Sequence, residues 1–361
     1  MPRVVGIDPG TVSIDVCGLE QGRVFLDRAF PSAEALADPT RFVGLLEAAE
    51  PLDCVAGPSG YGLPLTRAQD ATDEDLRLAF LAATGDPGGI GGLSALARAL
   101  ARSTLPVYFT PGVIHLSTVP EHRKVNRVDM GTADKVCAAA LAIDEQARRA
   151  RCPPRDVSLL LLELGGAFTA ALAVAEGRIV DGLGGTAGPL GFRAAGALDG
   201  EVAFLAGVVT KALLFDGGAA TVAGWDEGRA TPEALGNPGT PRERTALDAY
   251  IESAVKAVRA LTTSVSAPRE IVLSGRLAHV DAVGRAIASR LEAIAPVRLL
   301  GGLGSHAKEG AQGAALIADG LAGGTRAELV HTLGIREARG SALDHLYVVP
   351  PRMARQRLGL S

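Results

Sequence analysis

The sequence contains the same pattern of three short strands twice, and no other feature constrains the fold as strongly. Apolar runs, each ended by a turn that contains glycine, predict these strands. They lie at 3–8, 13–19 and 23–26 in the first copy and at 158–164, 168–174 and 178–180 in the second. We therefore expect two sheets that are built to one plan.

The two copies align without a gap at an offset of 155 positions. The alignment pairs Asp8 with Glu163 and Gly10 with Gly165. Two unrelated hairpins are the alternative, because short meanders with glycine turns are common. An acidic residue ends the first strand in both copies, and this shared feature favours a duplication.

Each copy is followed by alternating helices and strands, an order typical of α/β proteins. Helices are predicted at 33–49 and from Thr132 to about residue 150. The second of these ends before Pro153-Pro154, which breaks a helix. The break marks a boundary between the two halves of the chain.

With 361 residues, the chain exceeds the size that one core usually supports. We predict an N-terminal domain at 1–152 and a C-terminal domain at 153–324. The remaining residues, 325–361, are expected to form an extension that packs back on the N-terminal domain.

Charge and composition argue against several classes of protein. The formal net charge is -4 and neither sign forms long blocks, which argues against a nucleic-acid partner or an electrostatic membrane surface. No apolar run approaches the length of a membrane span, and the N-terminus lacks the apolar core of a signal peptide. The four cysteines lack the spacing of a disulfide framework or zinc site. We expect a soluble protein in a reducing cytoplasm.

The glycine turns that follow the two acidic strand ends predict a nucleotide site. A polyphosphate needs backbone amides that can approach closely, and Gly10-Thr11 and Gly165-Gly166 would supply them. Magnesium is usually held by one or two carboxylates together with phosphate oxygens, so we predict Asp8 and Glu163 as its ligands. The alternative is that Asp8 only caps its turn and Glu163 is a solvated strand end.

Five segments, in order, resemble the motifs of the acetate and sugar kinase, Hsp70 and actin superfamily. They are a first phosphate motif at 6–11, a connecting helix from 131, a second phosphate motif at 163–166, an adenosine motif at 271–277 and a second connecting helix from 310. The resemblance implies an α/β fold of two ribonuclease H-like (actin-like ATPase) domains in duplicate, with ATP and Mg2+ in the interdomain cleft. It also implies that Ser274 and Gly275 contact the nucleotide.

More narrowly, the chain resembles a family, known largely from archaea, whose members are described as predicted butyrate kinases. The segments 56–62 and 126–135 carry this resemblance. It implies transfer of the ATP γ-phosphate to a small carboxylate.

Asp129 and Asp134 are predicted as catalytic acids. Phosphoryl transfer often uses one carboxylate to orient or deprotonate the acceptor. Both residues flank the start of the helix at Thr132, where, by the resemblance, kinases and ATPases of the superfamily place an acid that faces the terminal phosphate. The alternative is that both acids only stabilise the helix N-terminus and that Lys135 is only a surface charge.

Two loops are candidates for binding the substrate. Arg123, Asn126 and Arg127 lie in a basic segment that could clamp an anion, although a solvated basic loop is the simpler interpretation. Ser59 and Tyr61 lie in a loop rich in glycine and proline, where substrate contact competes with an ordinary tight turn.

We expect a kinase that acts on a small molecule, either a carboxylate or a hydroxyl compound. A nucleotide-dependent switch or scaffold ATPase that acts on a protein partner is the alternative. A third hypothesis, a fold that no longer binds nucleotide, rests on Arg276 in place of the second glycine of the adenosine motif. The oligomeric state stays open, a homodimer included.

Overall fold

The computed structural model describes residues 1–10, 12–58, 60–83, 92–304 and 306–360. The strands in these ranges form two mixed sheets, one of six strands and one of five, and helices surround both. The predicted α/β class is therefore confirmed. No helix in the same ranges combines the length and the hydropathy that crossing a bilayer requires.

The first sheet is an antiparallel meander of three strands, extended by parallel strands and one short antiparallel edge strand. Its strands are β1 (Arg3–Pro9), β2 (Ser13–Glu20), β3 (Arg23–Pro31), β4 (Cys54–Pro58), β5 (Thr66–Arg67) and β6 (Val107–Thr110). Their order across the sheet is β3-β2-β1-β4-β6-β5. The helices of this half are α1 (Ser32–Ala37), α2 (Pro39–Glu47), α3 (Asp73–Phe80), α4 (Leu93–Arg102), α5 (Glu121–Lys124) and α6 (Ala133–Ala150).

The second sheet repeats this plan. Its strands are β7 (Leu159–Leu164), β8 (Thr169–Ala175), β9 (Arg178–Leu183), β10 (Glu270–Ser274) and β11 (Val297–Leu299). Their order is β11-β10-β7-β8-β9, with β7 to β9 antiparallel and β7, β10 and β11 parallel. The helices that follow β9 are α7 (Gly200–Ala206), α8 (Ala219–Ala223), α9 (Pro232–Gly236), α10 (Pro241–Leu261), α11 (Asp281–Leu291), α12 (Glu309–Leu321), α13 (Ala327–Thr332) and α14 (Pro351–Arg357).

The two meanders share an irregularity as well as a topology. The pairing of β2 with β3 shifts its register between Gly18 and Leu19. The pairing of β8 with β9 shifts between Ala173 and Val174, which lie 155 positions later. Because a bulge disrupts the ladder at one particular residue, its recurrence at the equivalent place supports a duplication over two unrelated hairpins.

Helices α6 and α12 pack against each other between the two sheets. A Cβ atom at Gly313 would lie 1.8 Å from the carbonyl oxygen of Cys137, and one at Gly6 would lie 2.1 Å from the amide nitrogen of Ala315. Glycine at these two positions therefore allows the backbones to touch. The close packing brings the N-terminal ends of α6 and α12 to the same cavity.

The helix predicted at 33–49 is two helices in the structure. Helix α1 ends at Ala37, and the side chain of Asp38 then accepts a hydrogen bond from the amide of Arg41 at 3.0 Å. Pro39 is the first residue of α2, where its missing amide hydrogen costs nothing. An aspartate cap followed by proline starts a new helix, so the prediction of one continuous helix was wrong.

The segment after α13 lies against residues of the first half. Leu343 and Leu360 form a small apolar cluster with Leu78 of α3. Arg355 of α14 forms an ion pair with Glu74. The boundaries of the three predicted domains stay a prediction.

Candidate active site

A cavity of about 500 Å³ lies where the two halves meet. It is lined by the ends of β1, β7 and β10 and by the N-terminal ends of α6 and α12. Ten of the residues predicted for the site line it: Asp8, Gly10, Tyr61, Asp129, Asp134, Glu163, Gly165, Gly166, Ser274 and Gly275. Two others, Thr11 and Ser59, lie outside the described residues.

The two predicted metal ligands stand at equivalent strand ends. Asp8 is the residue before last in β1 and Glu163 the residue before last in β7, and Asp8 is only 7% exposed. Ser274 pairs in register with Glu163, because β10 runs parallel to β7. Glu163 Oε2 and the Ser274 hydroxyl are buried and find no hydrogen-bond partner among the described residues. Buried polar atoms that line a cavity without partners are available to a ligand.

These residues fit a magnesium ion that is also bound by phosphate. Within the described residues, no three His, Cys, Asp or Glu side chains could hold a metal ion by themselves. Magnesium does not require such a cage when phosphate oxygens and water complete its shell. The carboxylates of Asp8 and Glu163 are oxygen donors of the kind that magnesium prefers, and Glu163 Oε2 accepts no hydrogen bond among the described residues.

Asp134 and Lys135 form a partly buried ion pair at the start of α6. Asp134 accepts hydrogen bonds from the Thr132 hydroxyl and from Lys135 Nζ. Lys135 Nζ also lies 3.2 Å from Glu163 Oε2, and the lysine side chain is only 15% exposed. The interpretation of Lys135 as a surface charge is therefore wrong, because its ammonium is paired with Asp134 and Glu163 at the cavity.

The charges in the cavity shift the pKa values of its acids in opposite directions. Burial, and next the charge of Asp134, raises the pKa of Asp8 to about 7, although Lys308 and Lys135 oppose the shift. Burial alone would also raise the pKa of Asp134, but the ammonium and hydrogen bond of Lys135 hold it below its ordinary value. Asp134 therefore stays ionised where Asp8 takes up a proton near neutral pH.

Asp129 is held by three hydrogen bonds. Its Oδ1 accepts from the amide of Gly131 at 3.1 Å, and its Oδ2 accepts from the amide and the hydroxyl of Thr186, both at 2.9 Å. Burial nevertheless raises the pKa of Asp129 against these bonds. Since its oxygens are already engaged, Asp129 joins the approach to α6 to the loop after β9 rather than offering a free base.

Lys308 is a residue of the cavity that the sequence did not reveal. It immediately precedes α12, and its Nζ lies 3.0 Å from Asp15 Oδ2 and 3.3 Å from the Ser13 carbonyl oxygen. A Cβ atom at Gly10 would lie 2.7 Å from this ammonium. The sequence signal that could have identified Lys308 is its position at the start of the second connecting helix, because the first connecting helix also starts near the cavity.

The glycine-rich loop 300–304 was also missed. The amides of Gly301 and Gly302 donate to Glu145 Oε2, at 2.9 Å and 3.3 Å. The amides of Leu303 and Gly304 donate to Gln312 Oε1. These bonds hold the loop against the cavity, near Ser274 and Gly275.

One end of the cavity is lined by aromatic and aliphatic side chains. The rings of Phe168 and Phe215 meet edge to face at 4.8 Å, and Leu93 and Tyr61 also line the cavity. Lys211 Nζ lies 5.0 Å from the centre of the Tyr61 ring. The surface here is suited to an acceptor with an apolar part.

The predicted basic clamp does not lie in the cavity. Arg123 donates to the Val180 carbonyl at 2.8 Å, and Arg127 is exposed. Asn126 Oδ1 accepts from the amides of Tyr347 and Val348, so it fastens the C-terminal segment. The expectation that Arg123, Asn126 and Arg127 bind substrate in this cleft is corrected accordingly, because the fold directs them towards β9, solvent and the C-terminal segment.

The comparisons with known proteins concern the family and the fold. The model of the family described as "Protein of unknown function (DUF1464)" matches residues 6–348. No curated protein matches the sequence.

Among solved structures, the fold is similar to those of three acyl kinases. A propionate kinase from Francisella tularensis subsp. tularensis superposes with a TM-score of 0.63 at 11% identity, over 87% of this chain and 98% of that chain. An acetate kinase from Porphyromonas gingivalis gives 0.60 at 14% identity, over 87% and 98%. An acetate kinase from Entamoeba histolytica gives 0.56 at 12% identity, over 80% and 86%. At these identities the likeness concerns the fold alone, and it confirms the predicted fold of two actin-like ATPase domains.

Proposed function

This chain belongs to the family described as a protein of unknown function (DUF1464), and from its fold and its cavity we propose that it is an ATP- and magnesium-dependent kinase that acts on a small molecule. The observation that carries the proposal is the meeting of two equivalent acid and glycine turns at one cavity. Neither turn would be distinctive alone.

The nucleotide would be held by both halves of the chain. The glycine turns at Gly10 and at Gly165-Gly166 line the cavity from opposite sheets and suit the phosphates, although the amides of Gly10 and Gly165 already donate to carbonyl oxygens of their own turns. Ser274, the last residue of β10, and Gly275 after it also line the cavity and suit the nucleoside part. Thr11, which lies outside the described residues, keeps its proposed role in the first turn.

Asp8 and Glu163 would hold the magnesium ion. When bound there, the ion would neutralise the charge of the phosphate oxygens. The chain itself orients the reaction: Lys135 and Lys308 supply positive charge, and Asp134, ionised and facing the cavity, is the proposed catalytic carboxylate that positions the acceptor. Asp129 is proposed as a positioning residue, because its hydrogen bonds tie the Thr186 loop to the start of α6.

We further propose that the acceptor is a small carboxylate. The aromatic end formed by Phe168, Phe215 and Tyr61 would hold the apolar part of a short acid, while Lys135 would face its charge. A carboxylate acceptor also needs no base, which agrees with the pKa of Asp134, since Lys135 holds it below its ordinary value and so makes Asp134 a weaker base.

We also propose a cytoplasmic location and a division of the chain into two domains. The four cysteines are free thiols, three of them buried, which suits a reducing cytoplasm. We propose that 1–152 and 153–324 move as domains about the crossing of α6 and α12.

The test is a direct assay with purified protein. Nucleotide binding is measured by calorimetry with and without Mg2+, and transfer is measured as acyl phosphate formed from ATP with acetate, propionate and butyrate, beside a panel of alcohols and sugars. We expect magnesium-dependent ATP binding and turnover with at least one short acid. A protein that binds ATP but uses only hydroxyl compounds would overturn the acceptor; one that binds no nucleotide would overturn the kinase.

The nucleotide-dependent switch has one observation in its favour. The segment from α7 to residue 209 exposes large apolar side chains: Val202, Phe204, Leu205, Val208 and Val209. A second copy of the chain or a protein partner could cover them. Light scattering of the wild type and of the double variant Phe204→Ser with Leu205→Ser tests whether a second copy covers this surface. A homodimer that is lost in the variant supports an interface between copies. A monomer in both cases rules that interface out.

A further inference from the structure

Lys135 sits within a group of carboxylates that come from three different elements. Its Nζ donates to Asp134 Oδ2 of α6 and lies 3.2 Å from Glu163 Oε2 of β7. Asp8 of β1 interacts electrostatically with the same ammonium. We call Asp8, Asp134 and Glu163 the acid cluster.

The acid cluster needs a counter-charge. A buried carboxylate is unfavourable unless a cation or hydrogen-bond donors compensate it, and this holds more strongly for three in one cavity. Glu163 Oε2 finds no hydrogen bond among the described residues, so the nearby ammonium is its main compensation. Lys135 therefore already performs, for the protein alone, the neutralising role that a divalent cation would have.

An ammonium and a divalent cation compete for the same oxygens. Placed together beside Glu163 Oε2 they would repel each other, because both carry positive charge at short distance. A polyphosphate changes this balance, because its oxygens offer the ammonium a stronger partner. The lysine can then leave Glu163 while it stays inside the cavity.

We propose that Lys135 occupies the acid cluster as an internal counter-ion when no nucleotide is bound, so that a divalent cation enters only together with a polyphosphate. This inference rests on the proposed function, since it assigns the order in which the same site is filled. It makes free metal a poor ligand and the metal–nucleotide complex a good one.

Lys308 does not have this role. Its Nζ is bound to Asp15 and to the Ser13 carbonyl beside the first glycine turn, and its side chain is 34% exposed. Because its ion pair is with Asp15, Lys308 can contact a phosphate at Gly10 while the contacts of Glu163 and Asp134 stay unchanged.

The first experiment uses the wild type and Mn2+ as the probe. Free Mn2+ is followed by electron paramagnetic resonance during titrations of the protein alone and of the protein with a non-hydrolysable ATP analogue. We expect Mn2+ to bind the protein alone at least about tenfold more weakly than it binds in the presence of the analogue, once the affinity of the analogue itself for Mn2+ is subtracted. Equal affinities would overturn the proposal.

The second experiment removes the ammonium and keeps its aliphatic stem. Lys135→Met should bind Mn2+ without nucleotide at least about tenfold more tightly than the wild type does. Lys256→Met is the matched control, because it removes the same charge from a side chain that is 73% exposed on α10 and does not line the cavity. No gain in Lys135→Met, or an equal gain in the control, would overturn the proposal.

Thermal unfolding shows whether the Lys135→Met variant is folded. We expect Lys135→Met to melt at a lower temperature than the wild type in EDTA and to recover with Mn2+, whereas the wild type should not respond to Mn2+ alone. If Lys135→Met does not fold in either condition, the wild-type titration decides.

The two proposals can fail separately. If the wild type binds no nucleotide, the kinase fails, while a gain of Mn2+ affinity in Lys135→Met still supports the lysine as the counter-ion. If nucleotide binds and the wild type also takes Mn2+ alone, only the order of binding fails.

Discussion

The turn after β1 and the turn after β7 are closed by equivalent backbone hydrogen bonds. The amide of Gly10 donates to the carbonyl of Ser13, and the amide of Gly165 donates to the carbonyl of Phe168, each at 3.0 Å. Each turn follows a strand whose residue before last is an acid. The duplication therefore extends to individual hydrogen bonds.

Compared by their side chains, the two turns differ in where the positive charge lies. At the first turn, Lys308 binds Asp15 and the backbone, and leaves Asp8 without a direct ion pair among the described contacts. At the second turn, Lys135 lies directly against Glu163. In each case the lysine comes from the connecting helix of the other half, so neither half completes its own charge balance.

The strongest way to break this comparison is to remove one acid at a time. Asp8→Asn and Glu163→Gln should each lower kcat/KM for phosphoryl transfer by about 100-fold or more, because each removes a charge that holds the metal and the phosphates. Steady-state kinetics at saturating Mg2+ measure the loss. Glu176→Gln, at an exposed turn, is the control and should leave the rate unchanged. A variant with full activity would remove its turn from the metal site.

The pH dependence of stability distinguishes the two kinds of acid. The pKa of Asp8 is raised to about 7, so its contribution to stability is present below its ordinary pKa and is lost as the pH rises through about 7. Asp8→Asn should therefore be more stable than the wild type at pH 8, by roughly 2 to 4 kcal/mol, and nearly equal to it at pH 4. Denaturant unfolding in EDTA without nucleotide measures this.

Asp134 should behave in the opposite way. Its pKa is lowered, so its contribution is present above its ordinary pKa and is lost as the pH falls. Asp134→Asn should therefore destabilise the protein at pH 8. If both variants gained stability at that pH, the ion pair with Lys135 would not compensate Asp134.

The link through Asp129 should have a moderate effect. Thr186→Val removes the hydroxyl that donates to Asp129 Oδ2, and we expect a loss of about 1 to 2 kcal/mol in the free energy of unfolding. The exposed Thr245→Val, whose hydroxyl bonds only within α10, should stay within about 0.5 kcal/mol of the wild type. Equal losses in the two variants would mean that Asp129 does not hold the Thr186 loop.

The smallest effect concerns two neighbouring glycines of the second turn. A Cβ atom at Gly165 would lie 2.7 Å from the Phe168 carbonyl oxygen, whereas one at Gly166 meets nothing within 4 Å. Gly165→Ala should therefore lower the melting temperature. Gly166→Ala should keep it and weaken nucleotide binding by about tenfold, since its methyl group would stand where a phosphate approaches the amide. Unchanged binding in Gly166→Ala would place the phosphates elsewhere.

Much of the fold was predictable because it depends on neighbours in the chain. The meanders follow from apolar runs and glycine turns, and the acids Asp8 and Glu163 follow from their place at the strand ends. The error at 33–49 was also local: the Asp38-Pro39 signal for a new helix was present in the sequence.

The roles of individual charges were less predictable. Asp129 and Asp134 look alike beside one helix start, yet Asp129 is saturated by donors that include Thr186, 57 positions away. Asn126 resembled part of an anion clamp until its partner Tyr347, 221 positions away, was placed. No sequence pattern near Asp129 or Asn126 predicts a partner so far along the chain.

The amino-acid sequence by itself determined the repeat, the two glycine turns and the acids that precede them, because hydrogen-bonded strands and turns are set by residues a few positions apart. Only the tertiary structure decided which cation faces which acid. Lys135 meets Glu163, and Lys308 meets Asp15, only after α6 and α12 have crossed between the sheets. A charged side chain pairs with the segment that packing brings within a few ångströms of it. The separation of two residues along the sequence does not predict that distance.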